Sequence, residues 1–473
     1  MKTVISFLIR CIQFTLGLLL DFLNAVVDAF TKRTGFSAEF GREGAIASRY
    51  NKGFVVSKNR KLSRRRSFEN ILLCGPTGSG KTTRLLLKNL YAIKGASFIV
   101  NDPSKELYQL ASGYLSKYFA IQTLNFSDSA ASIGFNVLSR IKKPNDINKV
   151  AHLLVAASLD KGNSSDPFWS LQSKTLLQLL IRLTLSQPEE YRNMANVVHL
   201  LHHFAAYPER IDVLIANTKD EKLILDYQSF ISTPEKTLQN IVASAKAALQ
   251  LFDDSEITKT TAYDTIDFDQ LRRQPTIIFL HNSVGDQKYV SILNSIFFEQ
   301  LYNHVLQRLP HKNELDLFVI LEEASSLYVP LLPLAVANCR KHRVGNLICV
   351  QSPTQLKSNY KDEADNIAAN CVTKLFLPGQ TSMDVLKEIE ALSGKCIYTD
   401  EKGTERVKPL ITTDEIRLLP TNRSIIISGN KPIIKGRTSP YYRSLVYKRY
   451  SQIPPVPLQG DIPDVPVPLL KIK

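Results

Sequence analysis

The apolar positions of this chain change period several times, and each change marks an element. Short runs dense in Ile, Leu, Val and Phe read as strands: 69–73 (ENILL), 97–101 (SFIVN), 276–281 (TIIFLH), 316–321 (DLFVIL) and 346–350 (NLICV). Longer stretches with apolar residues three and four apart alternate with them and read as helices. This alternation predicts a mostly parallel sheet covered on both faces. Between 150 and 262 the strand pattern stops. VAHLLVAASL, LLQLLIRLTL, VVHLLHHFAA and LQNIVASAKAALQLF all keep helical spacing, which predicts an all-α domain inserted into the α/β core.

Residues 4–30 form a separate apolar segment without proline. As a helix it would run roughly 40 Å, nominally enough to cross a bilayer. Its polar positions, Arg10, Gln13, Asp21, Asn24 and Asp28, with Gly17 between Gln13 and Asp21, step by three or four and line one stripe. That pattern favours a membrane-associated amphipathic helix lying in the interface. A true span and an ordinary buried helix are the competing readings. With only Lys2 ahead of it and no small-residue cleavage site behind, it is not expected to be a cleaved signal.

Composition narrows the class. Of 473 residues 44% are hydrophobic and 22% charged, which excludes wholesale disorder. The net charge of +15 suits polyanionic partners, nucleic acid or an anionic membrane face, but charge alone leaves a basic enzyme with a solvated surface on an equal footing. Six cysteines without a C-x-x-C pair fit neither a disulfide framework nor a zinc ribbon, and indicate a reducing compartment. His199, His202 and His203 read as packing or surface residues, so no metal is assigned to them.

The chemistry starts after the 69–73 strand. Gly75-Pro76-Thr77-Gly78-Ser79-Gly80-Lys81-Thr82, followed by Thr83 and a helical pattern, is a phosphate-binding loop in its strand–loop–helix setting. Glycines let backbone N–H groups wrap a phosphate at a helix N-terminus. Lys81 is expected on the β- and γ-phosphates and Thr82 on Mg²⁺. The 316–321 strand ends in Glu322-Glu323: Glu322 is expected to hold the metal shell and Glu323 to orient or deprotonate the attacking water. Glu322 stands where Asp is usual, one methylene longer. Gln351, at the tip of the next strand, is expected to sense the γ-phosphate. Among Arg340, Lys341 and Arg343, one is a candidate arginine finger for a neighbouring subunit, with Arg340 preferred and solvated helix charge as the alternative.

Taken in order, these motifs resemble the type IV secretion coupling proteins, the conjugative DNA-transfer ATPases. SFIVNDPSKELYQL (97–110) is similar to that family's Asp-Pro-Lys-Gly-Glu-Leu signature, with Ser104 and Lys105 where the family has Lys and Gly, which leaves the shape of that turn open. Phe168-Trp169 and the helical run after it resemble the opening of the family's inserted helical domain. LEEASSLYVPLLPLAVANCRKHRVGNLICVQSPTQL, AANCVTKLFLPG and the stretch 412–443 ending in Tyr-Tyr-Arg resemble its later strands. The resemblance runs from about Phe68 to Arg443. It implies a RecA-like P-loop core, ATP and Mg²⁺ as cofactors, and a ring, expected as a hexamer by family precedent, on the cytoplasmic face of the bacterial inner membrane. It further implies single-stranded DNA with relaxase or relaxosome proteins as cargo, and secretion-channel components as partners. Relatives typically have two N-terminal transmembrane helices, where this chain offers one amphipathic helix. A DNA motor unrelated to secretion, and a non-hydrolysing adaptor for protein effectors, are the alternatives.

The expected organisation is therefore a membrane-associated helix (1–31), a basic linker (32–66), the first part of the nucleotide-binding domain (67–149), the inserted all-α domain (150–262), the second part (263–450) and a proline-rich tail (451–473). In the linker, 51–66 carries seven basic side chains and no acid, suited to anionic lipid, DNA phosphate or plain solvation. From 416 to 460 eight Lys or Arg residues interleave with Tyr441, Tyr442, Tyr447 and Tyr450. That composition suits single-stranded nucleic acid, with packing of the rings as the equal competitor. The tail has six prolines between 454 and 468 and reads as an extended segment, either docked on a partner or a simple linker.

Overall fold

The computed structural model describes residues 37–159, 167–281 and 285–472. The apolar segment 4–30 lies outside these residues; among the described ones, no helix is long and apolar enough to cross a membrane.

The short apolar runs form a nine-stranded sheet. Its strands are β1 (Ile71–Cys74), β2 (Ala96–Asn101), β3 (Ala120–Asn125), β4 (Thr276–His281), β5 (Asp316–Leu321), β6 (Val344–Val350), β7 (Thr373–Phe376), β10 (Arg423–Ser428) and β11 (Ile434–Arg437), in the order β11-β10-β7-β1-β6-β5-β2-β4-β3. The strands from β7 to β3 run parallel; β10 and β11 close one edge antiparallel. β1, β2 and β4 are buried at every position, the signature of strands covered on both faces. Alternate side chains divide between two cores. Leu72, Ile99, Leu317 and Val319 enter one, and Ile71, Leu73, Phe98 and Phe318 the other. β8 (Lys395–Thr399) and β9 (Glu405–Pro409) form a separate exposed hairpin, whose Lys395 carbonyl accepts from the Ala38 N–H at 2.8 Å.

The topology places the chemistry. Parallel strands put all their C-terminal ends on one edge, and the loops leaving β1, β2, β5 and β6 converge there. The helix after β1, here α1, opens with a π-helical turn, Thr82–Leu86, before continuing as Leu87–Ala92. After β2 comes α2 (Glu106–Leu115).

Between β3 and β4 the described residues form α3 (Pro144–Leu159), α4 (Pro167–Leu185), α5 (Met194–Ala206), α6 (Pro208–Asn217), α7 (Glu221–Ile231), α8 (Glu235–Leu249) and α9 (Ser255–Ala262), followed by a single helical turn, Gln270–Arg273. Their apolar faces do not make a private core. Leu154, Leu177, Leu200 and Ile241 belong to the same buried cluster as Leu72, Val319 and the long helix α10 (Gln287–Leu306), which follows β4. The helical pattern expected over 150–262 is present and starts at Pro144.

Two basic stretches are packed rather than free. Within 51–66, Phe54 is fully buried with its ring edge-on to Phe318 (4.8 Å), the Val55 N–H donates to Asn89 Oδ1 (2.7 Å), and Arg64 pairs with Asp316 (2.8 Å). Near the end of the chain, the short helix Leu445–Ser451 stacks Tyr450 on Tyr114 (3.7 Å) and Tyr447 on Tyr91 (5.6 Å). Packing therefore accounts for those two tyrosines, while Tyr442 stays exposed. The proline-rich segment docks on the chain itself, as detailed below.

Candidate functional site

The site is built at the C-terminal edge of β1, β5 and β6. Gly78 and Gly80 take φ of +80° and +84°, left-handed values that bend the loop back over β1 at little steric cost. Two further side chains hold the loop. The Gln380 amide donates to the carbonyls of Cys74 (3.3 Å) and Leu377 (3.0 Å), and Arg84 Nε donates to the Ser79 carbonyl (3.1 Å). Lys81 Nζ donates to the Gly75 carbonyl at 2.6 Å, so its ammonium is folded into the cradle where a phosphate oxygen would compete for it.

Across from the loop, Thr82 Oγ1 donates to Glu322 Oε1 at 2.8 Å. The two residues expected to hold a metal are thus in direct contact. The extra methylene of Glu322 does not carry it away from Thr82. Its other oxygen, Oε2, is buried without a hydrogen-bond partner. Burial pushes the Glu322 carboxyl up to about 8, opposed by the Thr82 hydrogen bond and reinforced by the nearby Asp102, Glu106 and Glu323 charges. A buried, under-satisfied carboxylate beside a threonine hydroxyl is an oxygen donor set that suits a hard divalent cation such as Mg²⁺.

Glu323 is exposed and sits in the left-handed region (φ 53°, ψ 48°), where its carbonyl accepts from Ser326 Oγ (2.8 Å). Such a conformation costs a non-glycine residue roughly 1 kcal/mol or more. It turns the strand end so that the two adjacent glutamates are presented differently, one buried and one open. Gln351 follows β6 directly. Its side chain is exposed and its N–H donates to Gln355 Oε1 (2.9 Å). Lys81, Thr82, Glu322, Glu323 and Gln351 therefore share one edge of the sheet.

Arg340 does not join them. It pairs with Glu69 (3.1 Å), which precedes β1, at the opposite edge of the sheet. With Arg65, Lys341 and Arg343 it lines a shallow basic depression of about 520 Å³.

Sequence reasoning marked Asp102 only as part of the family signature and missed the buried layer it forms beneath Glu322 with Asn101 and His281. Asn101 Nδ2 donates to the Glu322 carbonyl (2.7 Å). Asp102 is fully buried, accepts from the N–H groups of Leu107 (3.2 Å) and Tyr108 (2.8 Å), and caps α2. His281 Nδ1 lies 3.3 Å from the Asp102 carbonyl, and its Nε2 is buried without a partner. Burial pushes Asp102 up to about 7 and His281 down to about 4. The signal available was a polar residue closing an otherwise apolar strand, in TIIFLH as in SFIVND. The turn left open at Ser104-Lys105 keeps a glycine-like shape, because Lys105 itself adopts φ 61°, ψ 8°.

With this geometry established, the similarities are specific. The family model described as "Type IV secretory system Conjugative DNA transfer" matches residues 39–459. Conjugal transfer protein TraG of Escherichia coli is 20% identical over 460 residues, covering 82% of this chain and 69% of TraG. Protein VirD4 of Rhizobium radiobacter is 22% identical over 434 residues, covering 84% of this chain and 60% of VirD4. Among solved structures, the bacterial conjugative coupling protein TrwBdeltaN70 superposes with a TM-score of 0.67 at 19% identity, over 86% of this chain and 94% of that one. TrwB has also been solved in complex with ADP and Mg²⁺, with a TM-score of 0.66 at 19% identity over 85% and 94% of the two chains. At such identity the superposition shows the fold.

Proposed function

The chain belongs to the type IV secretory system conjugative DNA transfer family, and from that premise we propose that it is an ATP hydrolase coupling nucleotide turnover to the export of a DNA–relaxase substrate. The observation that carries this reading is the contact between Thr82 and Glu322, made inside a phosphate loop whose lysine is already in place.

Each residue has a role in the proposal. Backbone N–H groups of Gly75 to Thr83, with Pro76, Thr77, Gly78, Ser79 and Gly80 shaping the loop, cradle the phosphates. Lys81 exchanges the Gly75 carbonyl for phosphate oxygens and neutralises their charge. Thr82 and Glu322 would hold Mg²⁺, which when bound supplies charge neutralisation on the phosphates. Glu323, open to solvent at the strand end, orients the attacking water and takes its proton. Gln351 contacts the γ-phosphate or that water. Arg340 stands too far round the sheet to act in its own subunit, so its role as a finger requires a neighbour in a ring, in keeping with a homo-oligomer, taken to be a hexamer. The reach of Glu322 to Thr82 supports hydrolysis over the adaptor alternative.

The remaining assignments concern partners. The excess of positive charge, +15 over the whole chain, suits single-stranded DNA. Residues 4–30 would attach the ring to the cytoplasmic face of the inner membrane, where it meets the secretion channel. The helices between β3 and β4 would recognise cargo. Their core is continuous with the sheet, so removing them whole would strip the body; aspartate at the exposed Val213 and Leu225 tests recognition instead. Loss of relaxase binding with ATP turnover retained is the expected result. For the function as a whole, donor cells carrying Lys81→Ala should lose plasmid transfer while accumulating normal amounts of the protein. Undiminished transfer would contradict the proposal.

A further inference from the structure

The proline-rich segment is fixed at two places with an exposed span between them. At the first, Pro454 crosses Gly113 of α2 so closely that a Cβ there would collide with the Pro454 carbonyl oxygen. Nearby, Tyr108 Oη donates to the Val456 carbonyl (2.8 Å) and the Val456 N–H to Ser112 Oγ (3.1 Å). The Gly460 N–H then reaches the Ala130 carbonyl (2.8 Å), and Thr265 Oγ1 donates to Asp461 Oδ1 (2.8 Å). Residues 463–466 are exposed.

The second place is on α5. Asn196 is buried, and its side chain reads two backbone groups of the segment at once: Nδ2 donates to the Pro468 carbonyl (2.9 Å) and Oδ1 accepts from the Leu470 N–H (2.8 Å). Asn193 Oδ1 accepts from the same Nδ2 (3.1 Å), which fixes the amide's orientation. One turn further, His199 Nε2 meets the Leu470 carbonyl (3.1 Å). Exposure alternates along this stretch: Pro468, Leu470 and Ile472 are half-buried, whereas Leu469 and Lys471 are exposed. Leu470 and Ile472 pack on the main core.

An amide that pairs with the C=O of one residue and the N–H of the residue two further on does what a neighbouring β-strand does. It selects an extended backbone, and the pockets under alternate side chains select apolar ones. We propose that α5 carries a binding site for an extended, apolar, proline-containing peptide, occupied in cis by residues 468–472 of this chain. The site and the exposed span together make a releasable latch between the inserted helices and the sheet. Removing the segment takes the Leu470 N–H from Asn196 Oδ1 and leaves Nδ2 only its contact to Asn193, so the site retains affinity for the same chemistry once opened.

The test uses the full chain and a fluorescein-labelled peptide of residues 464–473, followed by anisotropy. Leu470→Asp with Ile472→Asp opens the latch at half-buried positions and should bind the peptide about tenfold or more tightly than the unaltered chain, since the cis segment no longer competes. Adding His199→Leu or Asn196→Ala to the opened chain should weaken that binding about tenfold, as lost backbone contacts at a buried site do. Should Asn196→Ala impair folding, hydrogen exchange of the Leu470 amide in the unaltered chain decides: protection well above that of Leu469 is expected. Equal peptide binding by opened and unaltered chains, indifference to His199, or an unprotected Leu470 amide would overturn the proposal. So would protection that rises with chain concentration, because that assigns the segment to a second copy.

Discussion

The phosphate-loop edge of the sheet and the α5 face both bury polar side chains, and they settle them in opposite ways. At the edge, Glu322 uses one carboxylate oxygen on Thr82 and leaves the other without a partner. On α5, Asn196 commits both ends of its amide to the chain's own segment. A buried polar atom left unmatched costs about 1–3 kcal/mol, so a fold keeps one where an outside group supplies the match. A matched one indicates that the protein is its own ligand. The first pattern belongs to chemistry, and the second to a contact that can be exchanged.

The comparison is broken most directly at Lys81. Lys81→Ala removes the hydrogen bond from Lys81 to the Gly75 carbonyl and leaves the strands themselves unaltered. Turnover should fall by about 10²–10³-fold, the scale of losing one preorganised charge contact, with an unchanged circular dichroism spectrum. Retained turnover would remove the loop from the mechanism.

Glu322 offers the next largest effect. Its carboxyl must lose a proton to hold Mg²⁺, and burial has raised it to about 8. Mg²⁺-dependent nucleotide affinity should therefore climb with pH, by up to about tenfold per unit, and level off near that value. Glu322→Gln should abolish the climb. Stability should move the other way. The folded chain holds this proton, and that of Asp102 (raised to about 7), more tightly than the unfolded chain, whose values are near 4.5 and 3.8. Metal-free stability is then greatest below those unfolded values and falls as pH rises through 7 to 8, and Glu322→Gln flattens part of the slope. A slope unchanged by the substitution would show that Glu322 is not the group being titrated.

Smaller effects sharpen the contrast between structural and chemical strain. Tyr450→Ala, which unstacks the ring on Tyr114, should cost about 1–3 kcal/mol in denaturant unfolding and leave nucleotide affinity alone. Lys105→Gly should be neutral or stabilising by up to about 1 kcal/mol, since Lys105 holds a left-handed conformation that glycine adopts freely. A large destabilisation there would mean that the side chain carries the turn.

How much of this was legible follows from range. The phosphate loop and the glutamate pair are written in local runs; the strand Asp316–Leu321 lies where the apolar pattern put it, and Ile71–Cys74 and Val344–Val350 lie within two residues of the runs 69–73 and 346–350. The family signature at Asp102 was visible, but its burial beside His281 was not, because 179 residues separate the two. The basic stretch 51–66 read as a linker from its charge, yet Phe54 and Val55 decide its fate by packing on Phe318 and Asn89. The prolines of 454–468 announced an extended segment without naming what it rests on, since Asn196 and Gly113 are marked by nothing in their own neighbourhoods. Contacts between distant residues, rather than element types, are what the pattern left unwritten.

The central claim is that Lys81, Thr82, Glu322 and Glu323 form one hydrolytic site whose turnover answers to DNA. Steady-state ATP hydrolysis by the full chain, with and without single-stranded DNA, beside Lys81→Ala and Glu323→Gln, tests it most directly. The account predicts DNA-stimulated turnover in the unaltered chain and its loss in both variants, with Glu323→Gln still binding nucleotide. Nucleotide binding without turnover in the assembled unaltered chain, or turnover that survives Lys81→Ala, would contradict it.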